Sequence, residues 1–278
     1  MSTATPSQQY MRLQDCASAP SEQGPLGTGL LTKTWRHTDP DPHGVREVRI
    51  QGTAGALSVE CFGTGTLVPL SSPAALASTI FAANPGAREG MSFFAEFDFG
   101  GMISRFQGNV NLGLLVLAGF HDFKDGSARS NYFSREFFYS VASLQAVAPA
   151  SDAPSQDAGS RRLDTSSLLG FWRNTNSASL GIAAVEISDH GEHLGVRAHG
   201  VGESGTVDWG EVAGPIYAKD CSSVDAMAFS ATFSSQGIRC HLQANVKQGV
   251  LVIAYFTEFQ DGSGRSNYFS REFYYKER

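Results

Sequence analysis

The sequence predicts an all-β protein that consists of two similar halves. The first observation is a repeat, because residues 125–137 read DGSARSNYFSREF and residues 261–273 read DGSGRSNYFSREF. The second is an alternation of apolar and polar residues over many short segments, which is typical of strands with one face in a core. The third is composition: 30 glycines and 19 phenylalanines, with only 17% charged residues, favour short strands joined by turns over helices.

The repeat also predicts how the chain is divided. Two units of roughly 110 to 140 residues are each large enough to bury a core of their own. We expect a flexible N-terminal arm over residues 1–26, a first β-barrel over 27–142, a linker over 143–164 and a second β-barrel over 165–278. The arm and the linker are rich in small and polar residues and lack the period of a core element.

The elements of the two units can be aligned from start to end. Each unit begins with a Trp-Arg pair, at Trp35 and Trp172, and continues with alternating apolar residues. The alignment fails between about residues 66 and 90 of the first unit, and it returns at Met91 and Met227, where apolar residues again occupy every second position. Counting strands and turns gives about eight antiparallel strands per unit without crossover helices, as in a sandwich or an up-and-down barrel.

The two ends of the second unit favour the barrel. Gly170-Phe171-Trp172 at its start and Arg271 on its last strand resemble the Gly-x-Trp motif and the late-strand Arg of the calycin superfamily, which includes the lipocalins. The resemblance implies two tandem antiparallel up-and-down β-barrels. It also implies that Arg271 packs across Trp172, and that Arg135 packs across Trp35 in the first unit.

The repeated hairpin is the first candidate site. Its Asp-Gly turn, with Gly126 and Gly262 at positive φ, is typical of a tight hairpin, and its single carboxylate is too few for a calcium loop. On the strand that follows, one face carries Arg129, Asn131, Phe133, Arg135 and Phe137, and the other carries Ser130, Tyr132, Ser134 and Glu136. We expect the face with Phe133 and Arg135 to point into the core. Arg129 and Asn131, and the equivalent Arg265 and Asn267, would then lie at the open mouth and contact a ligand.

The segment that the units do not share holds the second candidate site. In the second unit it brings His199, Asp208, Trp209, Glu211 and Tyr217 close together in sequence. If burial beside Trp209 favours the protonated form of Asp208 or Glu211, that carboxyl would exchange protons with a bound substrate, with His199 as its partner. Trp209 and Tyr217 would contact the ligand. The alternative is a solvated strand edge with Trp209 half buried.

Charge and hydropathy argue against two classes of partner. The chain carries 21 basic and 27 acidic side chains, for a net charge of −6, and no basic cluster is long enough to neutralise a run of phosphates. We therefore expect no nucleic-acid partner. No apolar stretch approaches the ~20 residues of a spanning helix, and no signal-peptide pattern is present. We expect no membrane insertion and a cytoplasmic location.

The sequence predicts neither a metal nor a cofactor. Cys16, Cys61, Cys221 and Cys240 form no C-x-x-C pair and are expected to be free thiols. The spacing of His190, His193 and His199 matches no closed zinc pattern. No P-loop or dinucleotide fingerprint is present.

Three classes of function are consistent with these patterns. The first is binding of an apolar or amphipathic small molecule in a barrel cavity, because barrels of about eight strands leave room for one such ligand. The second is a cofactor-independent cyclase, isomerase or hydratase of a terpenoid- or polyketide-like substrate, in which Asp208, Glu211 and His199 transfer protons. The third is a bivalent carbohydrate-binding protein that uses the two hairpin loops. The residues identify neither the ligand nor the oligomeric state.

Overall fold

The structure, a computed structural model, describes residues 11–21, 24–53, 55–63, 76–77, 79–127, 129–141 and 162–277. Within these ranges it contains 18 β-strands and one short 3-10 helix, Leu13–Cys16, and no α-helix. The predicted all-β class is therefore confirmed. Most of the predicted linker lies outside the described residues. None of the helical residues in the described ranges forms a segment long and apolar enough to cross a membrane.

The strands fall into a first half and a second half. The first half contains β1 (Thr34–His37), β2 (Val45–Thr53), β3 (Ala56–Gly63), β4 (Leu76–Ala77), β5 (Thr79–Ala82), β6 (Gly90–Asp98), β7 (Met102–Asn111), β8 (Leu114–Phe123) and β9 (Tyr132–Val141). The second half contains β10 (Gly170–Asn174), β11 (Ile182–Asp189), β12 (Leu194–Gly202), β13 (Gly205–Gly214), β14 (Ile216–Ala218), β15 (Ala226–Ser235), β16 (Ile238–Lys247), β17 (Val250–Phe259) and β18 (Tyr268–Lys276).

These strands form one large sheet that closes in a ring. Within each half, neighbours along the chain pair antiparallel, and the last strand returns to the first, β9 to β1 and β18 to β10. Two short breaks interrupt the succession, one between β4 and β5 and one between β13 and β14. Pro215 stands in the second break, where its missing N–H cannot contribute to a ladder.

Each half has its own hydrophobic core, built by the predicted alternation. The inward residues of β6 and of its counterpart β15 are Phe93, Ala95 and Phe97 in one core and Phe229, Ala231 and Phe233 in the other. Trp35 and Trp172 are fully buried at equivalent places. Each indole N–H donates to a backbone carbonyl four residues earlier, that of Leu31 at 3.0 Å and that of Leu168 at 2.8 Å. Both rings are thereby satisfied inside an apolar core.

The two halves contact each other in a reciprocal way. A parallel bridge joins β14 to β9, and the equivalent bridge joins β5 to β18. The Ala218 N–H donates to the Asn131 carbonyl at 2.7 Å, and the Ala82 N–H donates to the Asn267 carbonyl at 2.7 Å. The repeated hairpin of each half is thus bound to the body of the other half.

The predicted orientation of the repeated strand is wrong in both copies. Phe133 packs with Tyr217 of the other half, and the Arg135 guanidinium donates to the Asn245 side chain across the interface at 2.8 Å. Arg271 does the same with Asn109, also at 2.8 Å. The opposite face carries Tyr132, Ser134 and Glu136, and it points into the first half, like Phe138 further along the strand. Alternation separates two faces but does not say which one a second domain covers.

The predicted Trp–Arg pairs are also wrong. Because Arg135 and Arg271 cross to the other half, they are not placed over the tryptophans. The cation over each indole is a lysine, with Lys33 Nζ 5.4 Å from the Trp35 ring centre and Lys276 Nζ 5.5 Å from that of Trp172.

Candidate functional site

A cavity with a volume of about 490 Å³ lies beside strand β9. Both halves line it. The first half contributes His43, Gly44, Val45, Phe106, His121 and Tyr132 through Phe137, and the second contributes Lys219, Asp220, Met227, Asn245 and Lys247. Aromatic and aliphatic side chains form much of the wall, while titratable groups stand at defined points in it.

One edge of β9 is only partly paired where it borders the cavity. Strand β1 pairs with β9 over Phe138–Val141, and the Thr38 N–H extends this contact to the Phe137 carbonyl at 2.9 Å. At the other end of β9, Ala218 pairs with Tyr132. The stretch between, residues 133–136, presents its edge to the cavity, so side chains from both faces of β9 line it. The gap is flanked by the loop before β2 and by the second half.

Glu136 is one of two acidic residues that line this cavity, the other being Asp220. The Glu136 carboxylate accepts a hydrogen bond from the Val45 backbone N–H. Burial raises the pKa of Glu136 to about 7, and the Val45 hydrogen bond only partly opposes this shift. One carboxylate oxygen lies 2.6 Å from the point where a Cβ on Gly44 would stand, so a side chain at Gly44 would displace the carboxylate. The glycine thus allows Glu136 to lie against the loop.

His121 forms the polar part of the wall. Its ring is 2% exposed, and it stacks on Tyr132 with ring centres 4.2 Å apart. One ring nitrogen bonds the Ser104 hydroxyl at 2.8 Å and the other bonds the Ser134 hydroxyl at 3.0 Å. Burial lowers the pKa of His121 to about 3, so the imidazole is neutral at physiological pH. Its tautomer then determines whether Ser134 offers a donor or an acceptor to the cavity.

The second half builds the equivalent place differently. Glu272 occupies the position of Glu136, but three side chains bond its carboxylate: Asn174 at 2.9 Å, Tyr274 at 3.0 Å, and Ser179. The positions that correspond to these three in the first half are His37, Phe138 and Pro42. None of these three residues repeats the hydrogen bond among the described contacts, so the Glu136 carboxyl lacks the three bonds that hold Glu272.

The interior of the second half is filled by two further groups. Tyr255 pairs with Ser270 across the ladder, in the position that Gly119 holds opposite Ser134 in the first half. Tyr255 is fully buried. In the first half this position is a glycine, and the His121 ring and the Ser134 hydroxyl lie 2.6 and 2.7 Å from the point where its Cβ would stand.

The second filling group is Arg12, from the N-terminal segment. Both Arg12 and Asp15 are 0% exposed, and they form an ion pair at 3.0 Å. The Arg12 guanidinium also donates to Thr257 at 2.6 Å, and Tyr268 donates to Asp15 at 2.6 Å. Thr257 and Tyr268 are the counterparts of His121 and Tyr132. The N-terminal segment thus closes the second half, and no segment among the described residues takes the same place in the first half.

The predicted acid–base residues lie elsewhere, on β12 and β13. Asp208 is 49% exposed and is paired with Arg197 at 2.9 Å, while Glu211 is 44% exposed and lies 3.5 Å from His190. His199 is opposite Asp208 in the β12–β13 ladder. The burial that the acid–base hypothesis requires is not found at either carboxylate.

Trp209 and Tyr217 have separate environments. Trp209 donates its indole N–H to the Met11 carbonyl at 2.9 Å, and with Asp208 it lines a smaller cavity of about 210 Å³. Tyr217 is 1% exposed at the interface between the halves, with its ring 4.9 Å from that of Phe120. The structure does not bring these two residues together around one ligand site.

The predicted hairpin contacts are occupied by the hairpins themselves. Arg129 pairs with Asp125 at 2.5 Å, and Arg265 pairs with Asp261 at 2.5 Å. Both guanidiniums lie 3.9 Å from a Phe ring of the preceding strand. The side-chain oxygens of Asn131 and Asn267 accept the N–H of Phe123 at 2.9 Å and of Phe259 at 3.0 Å. Gly126 and Gly262 have positive φ, as predicted.

Sequence reasoning missed Glu136, His121 and Ser134. The signal that could have found them is a comparison of the two halves at single positions, above all Gly119 against Tyr255 and His121 against Thr257. Comparison with known proteins adds no guide, since no protein-family model matches the sequence and a search of curated proteins finds no similar one. The function has to be inferred from the site itself.

Proposed function

We propose that the protein is a tandem pair of eight-stranded, up-and-down β-barrels of the calycin type, and that it binds an amphipathic small molecule in the cavity of the first barrel. The return of β9 to β1 and of β18 to β10 supports the architecture. Each half reaches eight strands when β4 is counted with β5, and β13 with β14, as single interrupted strands.

The observation that carries the binding proposal is the cavity beside β9. Its volume of about 490 Å³ lies within the roughly 300–1,000 Å³ that is usual for small-molecule sites. Phe106, Phe133 and Met227 supply apolar wall, and a few polar groups, Ser134 and Glu136 among them, stand between. An apolar wall with few fixed polar groups is the arrangement that holds and orients a small organic ligand.

The rim indicates the kind of ligand. Lys219 and Lys247 are exposed and line the cavity from the second half. The nearby carboxylate of Asp220 is bound by the hydroxyl of Ser222 at 2.7 Å. A ligand with an apolar body and an anionic or strongly polar head would place the body in the cavity and the head between the lysines.

A fluorescence titration with 8-anilinonaphthalene-1-sulfonate, an apolar ring system with an anionic head, tests the proposal. The variant that gives the first half the residues of the second, Gly119→Tyr with His121→Thr, should fill the cavity. We expect the wild type to bind the probe and this variant to lose at least tenfold in affinity, about 1.4 kcal/mol. Paired replacement Lys219→Gln with Lys247→Gln should weaken binding less.

The matched control is Lys124→Gln. Lys124 is exposed, pairs with Asp98 at 2.6 Å and does not line the cavity. The variant should leave probe affinity unchanged. Equal probe affinity in the wild type and in the filled variant, with both melting cooperatively, would contradict the proposed cavity. Native mass spectrometry of freshly purified protein would identify a ligand that stays bound through purification.

The hairpin residues of the carbohydrate hypothesis already have partners within the chain, so the geometry supports that class less than the cavity does. The cytoplasmic location and the absence of a nucleic-acid partner stay predictions from the sequence. The acid–base function is taken up below with different residues.

A further inference from the structure

The first half presents a carboxyl group to a cavity in a way that the second half avoids. Glu136 and Glu272 have the same place in the shared sequence YFSREF, but the Glu272 carboxylate is bound by Asn174, Tyr274 and Ser179, which are replaced by His37, Phe138 and Pro42 in the first half. A carboxylate held by three side chains is structural. A half-buried carboxyl that is held by a backbone N–H retains the capacity to bind a ligand or a proton.

We propose that the first-half cavity is an active site in which Glu136 removes a proton from a carbon atom of the bound amphipathic ligand, so that the protein acts as a cofactor-independent isomerase or lyase of carbon acids. This inference rests on the binding function proposed above. It names the reaction class and the residue that performs it, and it moves the acid–base role from Asp208, Glu211 and His199 to Glu136.

The environment of Glu136 suits a base that works near neutrality. Burial raises its pKa to about 7, so both the carboxylate and the carboxylic acid are populated at physiological pH. A base whose pKa lies near the working pH can accept a proton and return it. The carboxylate also lies in a cavity with an apolar wall, where it is less well solvated, and more basic, than at the surface.

A second group is placed to stabilise the charge that such a reaction forms. Ser134 lies two residues from Glu136 on the same face of β9, about 7 Å along the strand. Its hydroxyl bonds the neutral His121 ring at 3.0 Å. When His121 offers its Nε2–H to the Ser134 oxygen, the serine proton is available to a ligand oxygen, and Ser104 completes the relay at the other ring nitrogen.

For a ligand in which one carbon atom lies between a carbonyl group and a C=C double bond, the reaction is a shift of that double bond. The Glu136 carboxylate takes the proton from the carbon between the carbonyl and the double bond. The C–H electron pair forms a new C=C bond, and the carbonyl oxygen receives negative charge, which the Ser134 hydroxyl stabilises. The carboxylic acid then returns the proton to the far end of the dienolate. The double bond moves into conjugation, and no atom is gained or lost.

Other titratable groups surround Glu136 and belong in any interpretation of a pH profile. They are His121 and Tyr132 in the wall, Cys61 across the core, Arg135 beside it, and His43, Lys219, Asp220 and Lys247 around the rim. Burial keeps His121 neutral and raises the pKa of Tyr132 and of Cys61. A rate that rises with a pKa of about 7 and disappears with Glu136 therefore reports on Glu136.

The test uses 5-nitrobenzisoxazole, whose ring C–H proton is removed by a base. The carboxylate takes the proton, the C–H electron pair completes a nitrile, and the N–O bond breaks, so that the ring opens to a coloured cyano-nitrophenolate. We expect the full-length wild type to accelerate this elimination with a rate that rises through a pKa of about 7. Glu136→Gln should reduce the rate about a hundredfold. Glu136→Asp should retain part of the rate at the same pH dependence.

Glu272→Gln is the matched control, because it makes the same change at the structural copy, and Glu192→Gln is a surface control should the Glu272 variant lose stability. Both should keep the wild-type rate. Full activity in Glu136→Gln, or no acceleration by wild type that binds the probe, would overturn the inference. Displacement of 8-anilinonaphthalene-1-sulfonate by 5-nitrobenzisoxazole separates the two proposals, since a catalytic failure leaves displacement intact and a failure of binding abolishes it.

Discussion

The first and second halves end in strands of identical sequence, YFSREF, yet the two copies of the glutamate in that strand lie in different surroundings. In the second half, Glu272 is bound by three side chains, Tyr255 fills the space beside it, and Arg12 closes the interior. In the first half, a glycine stands opposite Ser134, and a cavity lies beside Glu136.

A repeated motif can therefore be structural in one copy and available for chemistry in the other. The residues of the motif are the same, so the difference comes from residues outside it: Tyr274 against Phe138 just after the motif, the neighbouring strands, and the N-terminal segment. The repeated residues that might look like a shared binding motif instead hold the halves together, as Arg135 does with Asn245 and Arg271 with Asn109. The predictions below test how far the two halves differ.

The largest expected effect is at Arg12, which closes the interior of the second half. Arg12→Met leaves the Asp15 carboxylate buried without its cation, and such a change costs about 3–5 kcal/mol of unfolding free energy. Replacing both residues with apolar ones, Arg12→Met with Asp15→Leu, should cost less because no unpaired charge remains. Urea denaturation in a Trp35→Phe background, followed by the fluorescence of the two second-half tryptophans, measures the effect in that half.

Arg162→Met is the control for this prediction. Arg162 pairs with Asp189 at 3.1 Å but is 70% exposed, so its loss should cost less than about 1 kcal/mol. If Arg12→Met is as mild as Arg162→Met, the N-terminal segment does not hold the second half closed, and the contrast between the halves becomes one of Tyr255 against Gly119 alone.

Much of the fold could be predicted from the sequence because its signals are local and repeated. Period-two apolar residues, such as Phe93, Ala95 and Phe97, identify strands whichever strand they pair with. The turn glycines Gly126 and Gly262 mark the hairpin by their positive φ. The repeat itself predicts two equivalent units, and the strand pairing follows the same order in both halves.

The candidate site could not be predicted in the same way, because it depends on contacts between distant segments. Alternation places Ser134 and Glu136 on one face of β9, but it does not say that the opposite face, with Phe133 and Arg135, is covered by the second half. The short arm around Arg12 carries no periodicity that would announce a buried ion pair. Polar residues that lie close together in sequence, such as Asp208 and Glu211, suggest an acid–base site, but both are exposed.

A second prediction concerns the pH dependence of stability that Glu136 produces in the first half. The pKa of Glu136 is raised from an ordinary value near 4.5 to about 7 by burial, so the folded protein binds this proton more tightly than the unfolded chain. Its contribution to stability is therefore full below about pH 4.5 and is lost as the pH rises to about 7. Because the side chain is partly exposed, we expect a loss on the order of 2 kcal/mol.

The measurement is the difference in unfolding free energy between wild type and Glu136→Gln from pH 5 to pH 8, by urea denaturation. The glutamine variant should gain on the wild type as the pH rises. His121 contributes the opposite slope, since its lowered pKa destabilises the fold at low pH, but it is present in both proteins and cancels in the difference. A flat difference would mean that Glu136 is as well solvated as a surface carboxylate.

A third prediction addresses the place where the halves meet and do not differ. The pKa of Arg271 is lowered to about 10, mainly by burial and further by the nearby positive charge of Arg135. Their Nε atoms are buried without a protein partner among the described residues. In a double-mutant cycle of Arg135→Met and Arg271→Met, repulsion makes the double variant less stable than the sum of the single changes by about 1 kcal/mol.

The sign of that coupling is the informative result, and urea denaturation in low-salt buffer measures it. Each single replacement loses a bond to an asparagine but relieves the remaining arginine, and this relief can be gained only once. A coupling of the opposite sign would mean that the two guanidiniums stabilise each other, as they would around a bound anion. Repeating the cycle in added chloride and in added phosphate would then identify the anion.

The smallest effects are expected at Ser130 and Ser266, where the comparison predicts equality. The Ser130 hydroxyl donates to the Ser223 carbonyl at 2.9 Å, and the Ser266 hydroxyl donates to the Ala87 carbonyl at 2.7 Å. Each alanine replacement removes one hydrogen bond between the halves and should cost about 1 kcal/mol, measured by urea denaturation. The acceptors are backbone carbonyls, which every residue carries, so these bonds persist although the surrounding sequences have diverged.

Equality of the two costs, within about 0.5 kcal/mol, would show that divergence inside the halves has left their interface unchanged. Ser204→Ala, at an exposed turn, gives the baseline for removing a solvated hydroxyl. A cost confined to Ser130 would instead tie the interface to the first-half cavity, because Ser130 lies just before Tyr132 and the cavity is lined from the second half by Lys219 and Asp220. The second half would then act as a wall of the site, and loosening it would weaken probe binding together with stability.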